Sequence, residues 1–457
     1  MPTTESRPNI LFLITDNQRH DLMRCAGNPI IETPNLDRLG RDGVRFERAF
    51  ATTPICAASR ASIFTGLYER RHEFTFRTAP LRTEFSHNSY PALLRESGYH
   101  TGFIGKFGIE SDGLEAPRSL VLKDETETLR RMFDHFEDFH WSEKGYVVEQ
   151  PDGRAKHLTD LTSDKAIRFL RTSAEKPDQP FCLSISFNAP HADANDPQQY
   201  VWPEGVDSLY DDAMIPEPAN SAPDFFAALP DFIRNSMGRD RWPGRFDTPE
   251  KTQRMMKGLY RMVSGVDRAI GTILEELERL SMADNTIVIF SSDHGMFYGE
   301  RGLCDCWLLN EEPLRVPLIV YDPRAVASRG TTRDEMALNI DIAPTILDLA
   351  GLPIPGSTQG QSLLPLLTTG DADVNWRSEF FCEHLFDHVD IPKSEGVRTE
   401  RWKYIRFFEQ QPVYEELYDL KSDPLESVNL VDDGEYAEQL HHLRDRCDRL
   451  REEVAEG

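Results

Sequence analysis

The chain has 457 residues, of which 39% are hydrophobic and 28% are charged, and its formal net charge is -26. This length is sufficient for one large hydrophobic core together with a smaller domain. The negative charge argues against nucleic acid or an anionic membrane as a partner, and it disfavours a long polyanionic substrate unless the binding site is locally basic.

The N-terminal sequence lacks the pattern of a secretory signal. Its apolar stretch ILFLI has the length of a buried strand, and no basic segment with a long apolar run and a cleavage site accompanies it. The seven cysteines are odd in number and thinly spread, which favours a reducing compartment over a disulfide framework. We therefore expect a cytoplasmic protein, or a periplasmic one if a leader has been removed.

Short apolar runs alternate with helical patterns along the first 370 residues. This alternation predicts an α/β fold with a large, mostly parallel sheet sandwiched by helices. In chain order, the pattern predicts strand 9–15, helix 33–43, a helix from about 57 to 66, helix 89–98, strand 99–105, helix 163–173, strand 181–187, helix 249–281, strands 285–292 and 315–321, and helix 339–351.

The character of the sequence changes after the stretch QSLLPLL. The segments EFFCEHL, SEGVRTERWKYIRFF and YEELYDL predict antiparallel strands, and a charged helix follows from about residue 434. We therefore expect a catalytic domain over 1–370 and a C-terminal subdomain over 371–457. Residues 110–160 and 192–248 lack clean periodicity, and we expect them to be long loops that shape a binding site at one end of the sheet.

Polar residues follow four of the predicted buried strands at the point where each strand ends. They are Asp16, Asn17, Lys106, His191, Asp293 and His294. Isolated Asp and Asn residues are common at turns and caps, but ligands in open α/β sheets bind outside the carboxyl ends of the strands. Two carboxylates, an amide and an imidazole among these residues predict a site for calcium or magnesium, or for manganese or zinc.

The stretch TTPICAASRASIFTG places Cys56 where a helix begins, with Arg60 one turn later. A helix N-terminus and an arginine together form an anion site, and a thiol in that setting is acidic and reactive. A thiolate is nevertheless a poor partner for a hard cation that prefers oxygen. The surroundings therefore indicate an oxygen nucleophile at position 56.

The segment CAASRASIFTG resembles the sulfatase signature, Cys-x-Pro/Ala-Ser-Arg followed by Leu/Ile/Phe-Thr-Gly. The similarity continues through PNILFLITDNQRHD, GYHTGFIGKFG, FNAPHAD, FSSDHGMFYGERGL and EEPLRVPLIVYDP, and so covers nearly the whole chain. The chain is thus similar to the type I sulfatases, which belong to the alkaline phosphatase superfamily. The resemblance implies an alkaline phosphatase-like sheet with a smaller C-terminal antiparallel sheet and helix.

In that family the cysteine is converted by a maturation enzyme to formylglycine, whose hydrate supplies the oxygen nucleophile. The resemblance implies this modification at Cys56 and a divalent cation, calcium or alternatively manganese, held by Asp16, Asn17, Asp293 and His294. It also implies that Arg60 stabilises the ionised hydrate and that Lys106 binds sulfate oxygens. His191 would contact the sulfate or protonate the leaving oxygen. Considered alone, Lys106 is more often a strand-end lysine and His191 a loop histidine held by a backbone carbonyl, but within this group of residues the functional interpretation is favoured for both.

Three departures from the family pattern bear on activity. Asn17 stands where the sulfatases usually have a second aspartate, Gly108 stands where they have a histidine, and Cys306 stands where a sulfate-binding lysine is expected. Either His72 or Arg301 compensates from a nearby loop, or the substrate differs, or the enzyme is weak.

The C-terminal segment contributes further candidate substrate-binding residues, His384 and Arg398. Similar segments in carbohydrate sulfatases line the mouth of the pocket, so we expect a sulfatase acting on a sulfated mono- or short oligosaccharide. One alternative is a phosphonate monoester or phosphodiester hydrolase, because phosphonate monoester hydrolases also carry an amide residue at the position of Asn17. The other is a sulfatase-like saccharide-binding protein without catalysis. Ala58 in the signature suits an oxygen-independent maturation system and hence a bacterial enzyme; the oligomeric state is not predicted.

Overall fold

A computed structural model describes residues 7–76, 80–109, 127–139, 145–150, 152–368 and 374–456. Its centre is an eight-stranded sheet. In chain order the strands are β1 (Asn9–Thr15), β2 (Val44–Phe46), β3 (His100–Gly105), β4 (His135–Asp138), β5 (Phe181–Ser186), β6 (Thr286–Ser292), β7 (Leu318–Tyr321) and β8 (Thr331–Arg333). Their order across the sheet is β8-β2-β7-β6-β1-β5-β3-β4. Strand β7 runs antiparallel to both neighbours, and the other pairings are parallel. The predicted mixed, mostly parallel sheet is confirmed.

Helices cover both faces of this sheet. The longer helices are α1 (Pro34–Asp42), α2 (Cys56–Thr65), α3 (Tyr90–Glu96), α4 (Leu158–Ala174), α5 (Pro249–Arg279), α6 (Ile342–Leu349) and α7 (Ala437–Glu456). Shorter helices are Glu69–His72, Thr83–His87, Glu127–Met132, Pro223–Ala227, Asp231–Arg234, Met237–Arg241, Glu311–Leu314 and Leu364–Thr368. Along the described part of the chain, no helix is both long and apolar enough to cross a membrane.

Strand β1 shows how the sequence produces the two layers. Ile10, Phe12 and Ile14 belong to one hydrophobic cluster, and Leu11 and Leu13 belong to the other. A strand that is apolar on both faces is expected only where helices cover both sides of a sheet. Helices α2, α3 and α6 contribute to the first cluster, whereas α1, α4 and α5 contribute to the second.

Two predicted elements differ from the structure in instructive ways. The expected strand 315–321 is divided into Arg315–Val316 and Leu318–Tyr321 at Pro317, because proline has no N–H to donate to a ladder. Part of the expected loop 110–160 instead contributes the edge strand β4. Residues 110–126, 140–144 and 151 of that stretch lie outside the described residues.

The C-terminal segment forms a four-stranded antiparallel sheet with a helix against it, as predicted. Its strands are β9 (Glu379–His384), β10 (Ser394–Thr399), β11 (Trp402–Phe407) and β12 (Tyr414–Asp419), and α7 follows. Phe381, Val397 and Leu443 of this unit share a hydrophobic cluster with Phe50 and Ile340 from the first part of the chain. The predicted boundary near residue 370 falls among residues 369–373, outside the described residues, so the domain division stays a prediction.

Candidate active site

The four polar strand ends meet at one edge of the central sheet. Strands β6, β1, β5 and β3 are consecutive neighbours, so their carboxyl ends lie side by side. The backbone N–H of Asn17, just after β1, donates to Asp293 Oδ1, just after β6, at 3.0 Å. The backbone N–H of Lys106, just after β3, donates to the carbonyl of Ser186 at the end of β5, at 3.0 Å. The structure therefore assembles these segments into one site.

Asp16 and Lys106 form a buried ion pair in this site. Asp16 is 1% exposed and Lys106 is 4% exposed. Burial alone would raise the pKa of Asp16, but Lys106, His191 and Arg60 hold that pKa well below its usual range. Burial likewise opposes the charge on Lys106, and Asp16 raises the pKa of Lys106 above its ordinary value. Both side chains are therefore charged at neutral pH.

Arg60 fastens helix α2 to the strand ends. Its Nε donates to Asp293 Oδ2 at 3.0 Å, and its Nη1 donates to the Lys106 carbonyl and to Ser186 Oγ, both at 2.6 Å. Its Nη2 lies 4.0 Å from Asp16 Oδ2 and has no hydrogen-bond partner within the described ranges. The guanidinium is thus held in place with one donor group left over for a ligand.

Cys56 is the first residue of α2 and lies against these groups. Ligand atoms of Asp16, Cys56 and His294 all lie within 4.8 Å of one another. Burial opposes ionisation of Cys56, yet Lys106 and His294 lower the pKa of its thiol below the ordinary value. The residue before it, Ile55, has no side chain that can cap the helix. The N–H groups of the first turn are therefore available to an anion at position 56.

Two buried oxygens at this edge indicate a bound cation. Asp16 Oδ1 and Asn17 Oδ1 have no hydrogen-bond partner among the described residues. A buried polar atom left unsatisfied costs about 1–3 kcal/mol, so two adjacent ones point to a ligand. The Nδ1–H of His294 donates to the carbonyl of Gly295 at 2.7 Å, which leaves Nε2 as its ligand atom. With Asp293, these residues could provide the oxygen-rich donor set that suits a divalent cation.

The two other histidines expected in the pocket are also brought here. His191 is half-buried, and its Nδ1–H donates to the carbonyl of Ala192 at 2.8 Å. Burial lowers the pKa of His191 to about 4, Asp16 raises it and Lys106 lowers it, which places the ring beside that ion pair. His384, at the end of β9, is fully buried, and burial together with nearby His294 lowers its pKa to about 3. Neither ring nitrogen of His384 has a hydrogen-bond partner in the described part of the chain.

His72 lies beside helix α2, in contact with Ser62 and Phe74. It is buried against the side of α2, where its Nε2 lies 3.0 Å from Ser62 Oγ and its Nδ1 accepts from the backbone N–H of Phe74 at 3.1 Å. Burial lowers the pKa of His72 to about 3, so it brings no positive charge at neutral pH. The expected compensation by His72 is therefore not supported, because the ring is neutral and both nitrogens have partners.

Arg301 and Arg398 are also placed in structural contacts and not in the site. The Arg301 guanidinium donates to the carbonyls of Leu425, at 2.5 Å, and Glu426, at 2.7 Å. Arg398 donates to Glu311 at 3.3 Å and to the Thr399 carbonyl at 2.7 Å. Each guanidinium binds one part of the chain to another, so the structure does not support Arg301 as the missing charge or Arg398 as part of the pocket wall.

The absence of a histidine at position 108 has a local cause. Gly108 has a φ of 70°, and a Cβ at this position would lie 3.2 Å from Cδ of Arg60. A side chain there would be strained by the left-handed backbone and would press on the arginine that fastens α2.

Sequence reasoning also missed Ser186, whose Oγ accepts from Arg60. Its position at the carboxyl end of β5, a strand that the sequence predicts, could have identified Ser186 as a site residue.

The geometry of this site defines the class of the protein as a metal-dependent hydrolase of anionic esters. The site combines a buried nucleophile position, an arginine, a lysine and a set of unsatisfied oxygens at the carboxyl edge of the sheet. The sulfatase family model matches residues 8–352. The model for the C-terminal part of N-sulphoglucosamine sulphohydrolase matches residues 299–453. The chain belongs to the sulfatase family, and it is a sulfuric ester hydrolase. The predicted family is confirmed.

Two curated relatives and one solved structure illustrate the likeness. The chain is 28% identical over 495 residues to an N-acetylglucosamine-6-O-sulfatase of Bacteroides thetaiotaomicron, covering 96% of this chain and 85% of the relative. It is 29% identical over 468 residues to an arylsulfatase of Clostridium perfringens, covering 96% and 93%. A solved structure of a complex with D-glucosamine-2-N,6-O-disulfate, the substrate of that protein, is similar with a TM-score of 0.81 and 26% identity over 99% of each chain.

Proposed function

We propose that this enzyme hydrolyses a sulfate ester on a mono- or short oligosaccharide, with formylglycine made from Cys56 as its nucleophile. The observation that carries the proposal is the position of Cys56 at the uncapped start of α2, with its sulfur within 4.8 Å of ligand atoms of Asp16 and His294. The names of two relatives, an N-acetylglucosamine-6-O-sulfatase and the complex with a disulfated glucosamine, support a carbohydrate substrate.

The cation would be held by Asp16, Asn17, Asp293 and His294. The unsatisfied oxygens of Asp16 and Asn17 face no protein donor among the described residues, and a mainly oxygen donor set favours calcium, with manganese as the alternative. When bound, such a cation lowers the pKa of a hydroxyl that it contacts and offsets negative charge on the sulfate.

The chain's own residues would stabilise and move charge around the sulfate. Arg60 has one unsatisfied donor, and the first turn of α2 adds backbone N–H groups directed at position 56. Lys106, paired with Asp16 in the structure, would donate to a sulfate oxygen. His191, which lies beside the Asp16–Lys106 pair, would contact the sulfate or protonate the leaving oxygen. His384, whose ring nitrogens are unsatisfied within the described chain, would contact the sugar.

The experiment that tests the function begins with maturation. The protein would be produced together with a formylglycine-generating enzyme, and the peptide carrying Cys56 would be analysed by mass spectrometry for conversion of the thiol to the aldehyde. The matured protein would then be assayed with an aryl sulfate, an aryl phosphodiester and a panel of sulfated mono- and disaccharides, each with added calcium or manganese.

We expect conversion at Cys56 and faster turnover of the sulfates than of the phosphodiester. Preferred turnover of the phosphodiester would favour the phosphonate or phosphodiester hydrolase alternative. Saccharide binding without turnover in fully converted protein would favour the non-catalytic alternative. We keep a bacterial, cytoplasmic location as a proposal that rests on the sparse cysteines and on Ala58.

A further inference from the structure

The wall of the site around Cys306 lacks the charge expected at that position. Cys306 is 8% exposed, and burial raises the pKa of its thiol well above the ordinary value. Asp305 and Cys56 raise that pKa further and Arg241 lowers it, so Cys306 lies near both the nucleophile position and Arg241. A neutral thiol attracts no anion, His72 is neutral at neutral pH, and the Arg301 guanidinium binds the carbonyls of Leu425 and Glu426.

A cluster of two arginines and one aspartate lies at the same wall. Arg241 Nη1 donates to Asp305 Oδ2 at 2.8 Å, and Arg245 Nη1 donates to Asp305 Oδ1 at 3.0 Å. Burial opposes the charge on Asp305, but Arg245 and Arg241 keep its pKa below the ordinary value. Burial raises the pKa of the neighbouring Cys304 thiol to about 12, so that thiol is neutral. Two cations and one anion leave a net charge of one positive unit, which is the charge that a lysine would supply.

The two arginines differ in exposure. The Arg245 side chain is 3% exposed, and it also donates to Gln199 and contacts Cys304 Sγ at 3.0 Å. The Arg241 side chain is 40% exposed, and its guanidinium lies 5.2 Å from the centre of the Trp307 ring. Arg245 therefore neutralises Asp305 inside the protein, whereas Arg241 remains accessible to a ligand.

The contacts of Trp307 and Asp305, which both adjoin Arg241, place Arg241 near the catalytic groups. The backbone N–H of Trp307 donates at 3.2 Å to the carbonyl of Pro54, two residues before Cys56. Trp307 also packs against the hydrophobic cluster that contains Ile55 and Ala58. Asp305, which accepts from Arg241, also interacts electrostatically with His191. Arg241 therefore lies near both the start of α2 and His191.

We propose that Arg241 binds an oxyanion of the substrate and replaces, from a different element of the fold, the lysine that is missing at position 306. The oxyanion is either the scissile sulfate or a carboxylate or second sulfate on the same sugar unit or its neighbour. Asp305 orients the guanidinium through the hydrogen bond at 2.8 Å, and the Trp307 ring supports it. This assignment rests on the proposed function, and it makes Arg241 a specificity-determining residue.

The test compares matured Arg241→Ala and Arg241→Lys enzymes on two substrates. One is a neutral sugar monosulfate and the other is a disaccharide with the same sulfate next to a uronate. Since a charge-assisted hydrogen bond is lost, we expect kcat/KM to fall about 10- to 100-fold in Arg241→Ala, with partial recovery in Arg241→Lys. A loss on both substrates assigns the scissile sulfate, and a loss on the uronate substrate alone assigns the neighbouring anion.

The matched control is Arg234→Ala, which removes an arginine from the same segment. Arg234 pairs with the exposed Asp231, so we expect its kcat/KM to stay within about two-fold of wild type. Unchanged kcat/KM on both substrates in Arg241→Ala would overturn the inference and leave the proposed function standing.

A binding measurement separates failure of the inference from failure of the function. Inorganic sulfate would be titrated into the Cys56→Ala protein, which cannot be matured, and into the Cys56→Ala, Arg241→Ala double variant. The readout is the midpoint of thermal unfolding. If Arg241 holds the scissile sulfate, we expect the double variant to need about ten times more sulfate for the same shift. If Arg241 holds the neighbouring anion, the two titrations should coincide and the uronate substrate should carry the whole loss. Coinciding titrations without a loss on either substrate would overturn the inference, whereas absence of turnover in fully converted wild type would contradict the proposed function.

Discussion

Two regions of this protein bury charged side chains, and they do so in different ways. In the C-terminal sheet, Lys403 of β11 lies 2.7 Å from Glu311 and 2.6 Å from Glu426, and these carboxylates also pair with Arg398 and Arg301. At the active site, Asp16 and Arg60 also have partners, but each keeps a buried polar atom without one among the described residues. In the first region each charged group lies within 3.6 Å of an opposite charge, and the network joins two parts of the chain, although Lys403 Nζ, Glu426 Oε1 and Arg301 Nε make no regular hydrogen bond among the described residues. In the second region the unsatisfied Asp16 lies beside the nucleophile position, which indicates where a ligand binds.

The largest expected effect is a loss of turnover at the active site without a loss of stability. Replacing Cys56 by alanine removes the precursor of the nucleophile, so turnover in the matured enzyme should fall by about 10⁴-fold or more. The midpoint of thermal unfolding should change little, because the side chain is small and only partly buried. The control is Cys25→Ala, which removes a half-buried thiol elsewhere and should keep wild-type turnover. Wild-type turnover in Cys56→Ala would refute the proposed nucleophile.

Breaking the buried ion network around Lys403 should lower the stability of the fold and not the chemistry of the active site. Lys403→Met leaves Glu311 and Glu426 without their shared cation, so the free energy of unfolding should fall by about 3–5 kcal/mol. Urea unfolding measures this change, and Lys421→Met, which removes an exposed lysine of the same sheet region, should stay within about 0.5 kcal/mol of wild type. Equal stabilities of the two variants would show that the network does not contribute to the fold.

Adding a divalent metal ion should stabilise the folded protein through the unsatisfied oxygens of the active site. Calcium at roughly 100 times its Kd should raise the free energy of unfolding by about 2–3 kcal/mol relative to chelator-treated protein. Asp16→Asn should abolish most of this gain, because it removes a carboxylate charge from the donor set. Asp284→Asn, at an exposed position, should keep the gain in full. The readout is the thermal midpoint with and without chelator, and an identical gain in both variants would contradict the assigned ligands.

The smallest expected effect concerns the buried carboxylate of Asp267, which has no cationic partner among the described residues. Asp267 accepts from the backbone N–H groups of Asn35 and Leu36 at the start of α1. Burial raises the pKa of Asp267 to about 6, although these N–H groups lower it. Because the folded state holds this proton more tightly than the unfolded chain, the group's contribution is largest below about pH 4. It is lost as the pH rises through 6, by on the order of 2 kcal/mol.

Urea unfolding at several pH values tests this sign. Asp267→Asn should show a smaller fall in stability between about pH 4 and 7 than wild type, whereas Asp284→Asn should keep the wild-type fall. A rise in wild-type stability over that range, removed by Asp267→Asn, would show that the pKa of Asp267 is lowered instead.

The elements that the sequence predicted well are those with strong local patterns. Strand β1 and helix α1, with Thr33 before it and Gly43 after it, match their expected bounds within a residue or two. The strand ends carrying Asp16, Lys106 and Asp293 were predictable for the same reason, because a buried apolar run identifies its own carboxyl end. The edge strand β4 was not predicted, since its four residues are all half-buried and show no periodicity.

By itself, the sequence determined the family, the central sheet and the residues grouped around Cys56, because hydrophobic periodicity and a contiguous motif are local properties of the chain. Only the tertiary structure decided which distant cations serve the site. His72, Arg301 and Arg398 looked suitable by proximity in sequence, but each finds closer partners once the chain is folded. Arg241 lies in a stretch without periodicity, and it reaches the wall beside Cys306 only because Asp305 and Trp307 are folded against it. The pairing of charges depends on distances in space, which no spacing along the chain encodes.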